Sequence, residues 1–164
     1  MRIIGRAWNY GDDVNTDYIF PGKYLELTDP VEIGRHAMEG LDPEFTRKVK
    51  RGDVVIGGRN FGLGSSREQA PMALKAAGVS AVVAESFARI FYRNSFNLGL
   101  PALECQGVGK AIGTGDSVSI DTDTGIITVN ESRMLKFNPV PPFMQKILDA
   151  GDLRQYIKKN NGSW

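Results

Sequence analysis

Three apolar residues, Val54-Val55-Ile56, run straight into Gly57-Gly58, and two further glycines, Gly62 and Gly64, lead to Ser65-Ser66-Arg67-Glu68 and an alanine-rich stretch with helical spacing. No other feature constrains the fold as much. A strand over residues 53–57, a glycine turn, a helix ending at Ala77 before Gly78, and an apolar β-branched strand over 80–84 predict a parallel strand pair with a right-handed crossover. In such sheets ligands bind beyond the carboxyl ends of the strands, where residues 58–67 lie.

The turn has two readings, a tight turn that starts a helix and an anion site. A strand that enters a helix through glycines aims free backbone N–H groups at one point, where they favour negative charge. Ser65 with Glu68 fits a capping box. Two hydroxyls and the Arg67 guanidinium at the same place suit a carboxylate or phosphate. The spacing matches neither a phosphate-binding loop, nor a dinucleotide fingerprint, nor a Gly-x-Ser-x-Gly elbow. Pro71 would fall too deep in a helix capped at Ser65, so the regular helix is expected to begin near Pro71, with 65–70 as a tighter turn.

Elsewhere, residues 2–8 read as an opening strand, and Gly11-Asp12-Asp13 as an acidic turn without calcium-loop spacing. Residues 21–29 read as a loop. Asp29 caps a helix expected to reach about Glu39, and Asp42-Pro43-Glu44 starts another to about Lys50. His36, with no second histidine or cysteine beside it, reads as a packing or surface residue. Ser86 is expected to cap a helix with Phe87, Ile90, Phe91 and Asn94 on one core-facing stripe, flanked by Arg89 and Arg93. A strand begins at 101–105, and Cys105 reads as a buried small apolar residue. Clean alternation over 115–121 and 125–129 predicts a β-hairpin. Helices are expected over 143–150, closed by Gly151, and over 152–159. The whole is an α/β chain, read as one domain over 1–164 with a mobile tail at 160–164.

Twenty basic and nineteen acidic residues leave a net charge of +1, which gives nucleic acid or an anionic membrane nothing to recognise. No stretch approaches the roughly 20 apolar residues that span a bilayer, and Met1-Arg2-Ile3-Ile4 lacks a secretion signal's apolar run. One cysteine permits no internal disulfide, suits a reducing cytoplasm, and is too few to hold an iron–sulfur cluster.

Residues 59–71, Arg-Asn-Phe-Gly-Leu-Gly-Ser-Ser-Arg-Glu-Gln-Ala-Pro, resemble the signature of the aconitase swivel-domain family, and within it the separate small subunits of the isopropylmalate dehydratases. Asp12-Asp13-Val14-Asn15-Thr16-Asp17-Tyr18-Ile19, residues 86–94 and Asn97-Leu98-Gly99-Leu100-Pro101 agree with it in the same order, so the resemblance covers essentially the whole chain. It implies a swivelling three-layer β/β/α domain. It also implies a dehydration–rehydration of a hydroxy-dicarboxylate in leucine biosynthesis. Ser65 would be the base, Ser66 and Arg67 would bind a substrate carboxylate with Gly64 beside them, and Asp17 would orient a substrate hydroxyl or a neighbouring cation. No metal is expected on this chain. A [4Fe–4S] cluster is expected in a large partner subunit, in a heterodimer or heterotetramer, and the isolated chain would be inactive.

In the family a loop near the start selects the substrate. Here it reads Tyr24-Leu25-Glu26-Leu27-Thr28, without the arginine of citrate-handling members, and Phe20 stands where those carry a serine. Apolar surroundings suit an isopropyl group better than an unpaired carboxylate. Small subunits acting on homoaconitate or on methylmalate and citraconate are the alternatives within the family. A stand-alone anion-binding regulatory domain is the alternative outside it.

Overall fold

A computed structural model describes residues 1–161. Residues 162–164 of the expected mobile tail lie outside the described residues, while Asn160 and Asn161 form a turn. The strands are β1 Arg2–Asn9, β2 Val54–Ile56, β3 Ala81–Ala84, β4 Ala102–Glu104, β5 Ser117–Asp121, β6 Ile126–Val129 and β7 Arg133–Lys136. The helices are α1 Thr16–Ile19, α2 Pro30–Gly34, α3 Phe45–Lys48, α4 Gln69–Ala76, α5 Arg89–Asn97, α6 Val108–Ala111, α7 Pro142–Ala150 and α8 Leu153–Lys159.

The strands form one sheet in the order β4-β3-β2-β1-β5-β6-β7. From β4 to β1 the pairs are parallel, as the strand–turn–helix–strand order predicts, and from β1 to β7 they are antiparallel. Alternation in the short central strands assigns the layers. Val54, Ile56, Ala81 and Val83 join Val118, Ile120, Ile127 and Val129 in one apolar cluster, so the antiparallel half curls over one face of the parallel half. Val55, Val82 and Ala84 point the other way, into a cluster with Ile33, Phe45, Ala73, Leu74 and Phe91 from the helices. Two β layers and a helical layer result, matching the three-layer expectation.

Several local expectations are corrected. Ser65 and Glu68 do not form a capping box: Gly64, at φ +101°, turns the chain outward, and α4 begins at Gln69 with Glu68 at its N-cap and no side-chain cap. Pro71 then occupies the third helical position, where a missing N–H has no intrahelical partner to lose. Ser86 does not cap α5. Its Oγ accepts the Asn60 amide at 2.9 Å, Phe87 bridges to Phe61, and Ala88 takes the cap position. Asp29 caps α2 as expected, but the helix ends at Gly34, because Met38 sits at φ +61° with its amide on the Ile19 carbonyl. The single turn of α3 replaces the longer helix expected to Lys50. Strand β7 has no counterpart among the expected elements, since its mostly exposed residues carry no apolar alternation.

Candidate active site

The glycine loop after β2 is sewn to the segment after β1. Gly58 donates to the Gly11 carbonyl at 2.8 Å, Asp13 to Arg59 at 2.8 Å, Gly62 to Val14 at 2.7 Å, and Thr16 to Leu63 at 2.8 Å. Asp12 Oδ1 accepts the Arg59 amide at 2.7 Å. Thr16 is 4% exposed, and its hydroxyl donates to the Ser65 carbonyl at 2.9 Å and so fixes the backbone beneath that serine. Glycines permit this closeness. A Cβ at Gly58 would strike the Asp12 carboxylate, and one at Gly62, already at φ +84°, would strike the Phe91 ring.

Above this seam the chain is open. Gly64, Ser65 and Ser66 are exposed, and the backbone N–H groups of residues 64–68 have no protein acceptor among the described residues. Their unmet donors are the anion-favouring arrangement that the sequence predicts. A cleft of about 340 Å³ opens here, lined by Thr16, Gly64, Ser65, Ser66 and Arg67 on one side and by Ala88, Arg89, Ile90 and Asn94 on the other.

Arg67 is held from below. Its side chain is 15% exposed, and Nη1 donates to Asp17 Oδ1 at 2.8 Å and to the Phe20 carbonyl at 3.0 Å. Asp17 Oδ1 also accepts the Gly22 amide at 3.0 Å. The Arg67 hydrogen bond, then the Gly22 amide, hold the Asp17 carboxyl below the usual carboxylate range. A Cβ at Gly22 would lie 3.3 Å from Arg67 Nη2, so glycine there leaves that nitrogen clear.

Ser65, Ser66, Gly64 and Arg67 therefore meet at one cleft, and Asp17 reaches it through Arg67. The 24–28 loop does not line it. Tyr24 ends a 3-10 turn, Gly22–Tyr24, and its hydroxyl donates to Glu39 Oε1 at 2.6 Å. His36 stacks on the Tyr24 ring at 3.7 Å between centroids, with Nδ1 2.5 Å from Glu39 Oε2, which makes it the packing residue expected. Burial pushes the Glu39 carboxyl up, but the Tyr24 and His36 hydrogen bonds outweigh it and the net shift is downward. Leu27 packs on the helical core, Leu25 and Glu26 are exposed, and Thr28 lines a separate groove of about 1310 Å³ together with Glu68 and Lys75. Phe20 offers the cleft no ring. It is fully buried in the core and contributes only its carbonyl, a correction to its expected place beside the substrate. Ile90 likewise leaves the expected core stripe for the cleft wall, because α5 starts two residues later than Ser86 would dictate.

Residues 34–107 match the family described as the aconitase C-terminal domain. The isopropylmalate/citramalate isomerase small subunit of Methanocaldococcus jannaschii is 50% identical over 97% of this chain and 96% of its own length. The 3-isopropylmalate dehydratase small subunit 1 of Methanopyrus kandleri is 52% identical over 96% and 93%. This chain belongs to the 3-isopropylmalate dehydratase small-subunit family. The crystal structure of 3-isopropylmalate dehydratase from M. jannaschii superposes on it with a TM-score of 0.94 at 48% identity, covering 98% of this chain and 95% of the other. The α/β fold is thus that of the family.

The chain's own residues do not fit an iron–sulfur cluster. Its single thiol, Cys105, is buried, and burial, then the charge of Glu85, pushes its pKa up, away from the thiolate that a cluster needs. Among the described residues no three His, Cys, Asp or Glu side chains are grouped to hold a metal ion, and no helix is long and apolar enough to cross a membrane. Sequence reasoning missed Thr16 as the support under Ser65 and missed Arg89, Ile90 and Asn94 as cleft wall. The only signal for the first was its place inside the Asn15-Thr16-Asp17 segment.

Proposed function

We propose that this chain is the small subunit of a 3-isopropylmalate dehydratase, a hydro-lyase that interconverts 2- and 3-isopropylmalate in leucine biosynthesis. A proton and a hydroxyl leave neighbouring carbons, and water returns with the positions exchanged. Ser65 is the base that takes the proton. An ordinary serine hydroxyl is too weak an acid to ionise near neutrality, and only preorganised donors make its alkoxide accessible. The observation that carries the proposal is Ser65, exposed in a cleft beside five consecutive amides without an acceptor among the described residues and the anchored Arg67 guanidinium. Ser66 and Arg67 bind a substrate carboxylate, Gly64 lets the backbone approach it, and Asp17 holds Arg67 in place.

The cleft is open on one side, and the family's division into small and large subunits supports a heteromeric site closed by a large partner that carries the [4Fe–4S] cluster. Residues 17–28 and 59–67 face that partner. The 24–28 loop, whose base is tied to Asp17 through Gly22, meets the variable end of the substrate once the complex forms. The complex works in the cytoplasm, consistent with a single unpaired and buried thiol.

Reconstitution with the large subunit tests this. Ser65→Ala should abolish turnover of 2-isopropylmalate while the complex still assembles on size exclusion, and normal turnover would remove Ser65 from its role. Assaying the same pair against homoaconitate, methylmalate and citrate fixes the substrate. Preference for methylmalate would favour the shorter acids that the name of the M. jannaschii relative includes.

A further inference from the structure

Two ties fix where the 24–28 loop leaves the body of the protein, one on α1 and one on a segment bonded to α1. At the base of the loop the Gly22 amide donates to Asp17 Oδ1 at 3.0 Å, on the carboxylate that also braces Arg67. Two residues on, the Tyr24 hydroxyl donates to Glu39 Oε1 at 2.6 Å. Glu39 lies between two amides bonded to α1, Met38 to the Ile19 carbonyl at 2.7 Å and Gly40 to the Tyr18 carbonyl at 3.1 Å. The approach is close, since a Cβ at Gly40 would come 2.6 Å from the Asp17 carbonyl oxygen. The backbone that carries Glu39 is therefore fixed to the backbone that carries Asp17.

Both oxygens of the Glu39 carboxylate are engaged. Oε2 lies 2.5 Å from His36 Nδ1, and the His36 ring stacks on Tyr24 at 3.7 Å between centroids, so the imidazole steadies both partners of the Tyr24–Glu39 bond. Past Tyr24 the chain is held less. Leu25 and Glu26 are exposed and make no ion pair or side-chain hydrogen bond among the described residues. Leu27 alone of residues 25–28 packs back on the helical core before Asp29 caps α2. Where the exposed tip of the loop stands relative to the Arg67 guanidinium is thus decided at Tyr24.

We propose that Glu39 is a positioning residue for substrate selection: through the Tyr24 hydroxyl it holds the 24–28 loop in a fixed relation to Arg67. This rests on the proposed dehydratase function, in which the loop meets the variable end of the substrate. The substrate arginine and the selecting loop then share one frame, α1, and a partner that closes the cleft finds them already aligned.

The test uses the reconstituted two-subunit enzyme with Tyr24→Phe, Glu39→Ala, Glu39→Gln, Tyr10→Phe and Ser65→Ala. Tyr24→Phe keeps the ring and removes only the hydroxyl. Tyr10→Phe is the matched control, because the Tyr10 hydroxyl donates to Asp42 Oδ2 at 2.8 Å, a bond of the same kind that ties no part of the loop. One readout is kcat and KM for 2-isopropylmalate and for methylmalate. The other, on the small subunit alone, is hydrogen exchange at the Leu25 and Leu27 amides, which donate to the Gly22 and Tyr24 carbonyls at 3.2 and 3.0 Å. Tyr24→Phe and Glu39→Ala should each lower the isopropylmalate-to-methylmalate ratio of kcat/KM about tenfold, the low end for losing a hydrogen bond to a charged group, with the loss in KM and kcat retained. Exchange at the two amides should quicken about tenfold. Glu39→Gln, whose amide oxygen still accepts, should recover part of both effects, and Tyr10→Phe should show neither. An unchanged ratio in Tyr24→Phe, a fallen ratio without faster exchange, an equal fall in Tyr10→Phe, or a loss confined to kcat would overturn the assignment. The two levels separate cleanly. An inactive Ser65→Ala with an unchanged ratio in Tyr24→Phe retires Glu39 alone, whereas an active Ser65→Ala retires the reading on which it rests.

Discussion

Gly62→Ala is the substitution whose cost the structure lets us work out most directly. Gly62 sits at φ +84°, where an L-residue loses about 1–2 kcal/mol relative to glycine. A methyl group there would also overlap Phe91 Cβ and Cγ, and Phe91 is itself 3% exposed and wedged against Phe61 and Phe87. Overpacking of that kind costs a further 1–3 kcal/mol or so. Gly11 supplies the control, because it has φ +74° and nothing within 4 Å of where an added methyl group would sit. Gly11→Ala should therefore show only the backbone part, about 1 kcal/mol, and Gly62→Ala about 3 kcal/mol. For a chain of this size those figures correspond to lowering Tm by roughly 2–4 °C and 6–12 °C. Thermal unfolding followed by circular dichroism measures both, and the unfolded-state contribution of Gly→Ala cancels in the comparison. Equal shifts in the two variants would refute the steric part of the reasoning. They would also mean that α5 is not seated on the glycine loop as described.

Three further predictions concern the site. Asp17→Ala removes an ion pair whose carboxylate is 63% exposed, so stability should fall by less than about 1 kcal/mol, while KM of the reconstituted enzyme should rise tenfold or more as Arg67 loses its brace; a stability loss without a KM change would reverse the assignment. Because the folded Asp17 carboxyl is depressed, its contribution is complete above the ordinary aspartate pKa of about 4 and is lost only as pH falls through the lower folded value, so KM should show no Asp17 inflection between about pH 5 and 8. Glu26→Arg should shift the ratio of kcat/KM toward tricarboxylates at least tenfold, and an unchanged ratio would remove the 24–28 loop from substrate selection.

Much of this architecture is legible in the residues alone. Val54-Val55-Ile56 and the 80–84 segment read as parallel strands because each is short, apolar and bounded by glycine or helix signals, and the 115–129 hairpin reads from strict alternation. The site loop reads from its glycines, hydroxyls and arginine. What failed were the inferences in which a local pattern competes with a distant partner. Ser65 and Glu68 have capping-box spacing, but Thr16 holds the Ser65 carbonyl and Gly64 turns the chain away first. Ser86 has cap chemistry, but Asn60, 26 residues earlier, claims its oxygen. Met38 leaves the helical region because its amide goes to Ile19, across a loop no window would connect. Phe20 is expected beside the substrate only through the family resemblance, and its ring is fully buried in the core instead.

The fastening of residues 58–65 onto residues 11–16 has a consequence for how portable this chemistry is. The matched stretch 34–107 contains the serine and the arginine but not the strip of chain they are stitched to. A transplant of 57–70 into a foreign scaffold would carry the reactive letters without their template. On the proposed function, catalytic competence would be inherited from residues 11–17 as much as from the serine loop, and because β1, just before them, is the central strand of the sheet, a truncation that trims the amino end should cost the fold together with the rim.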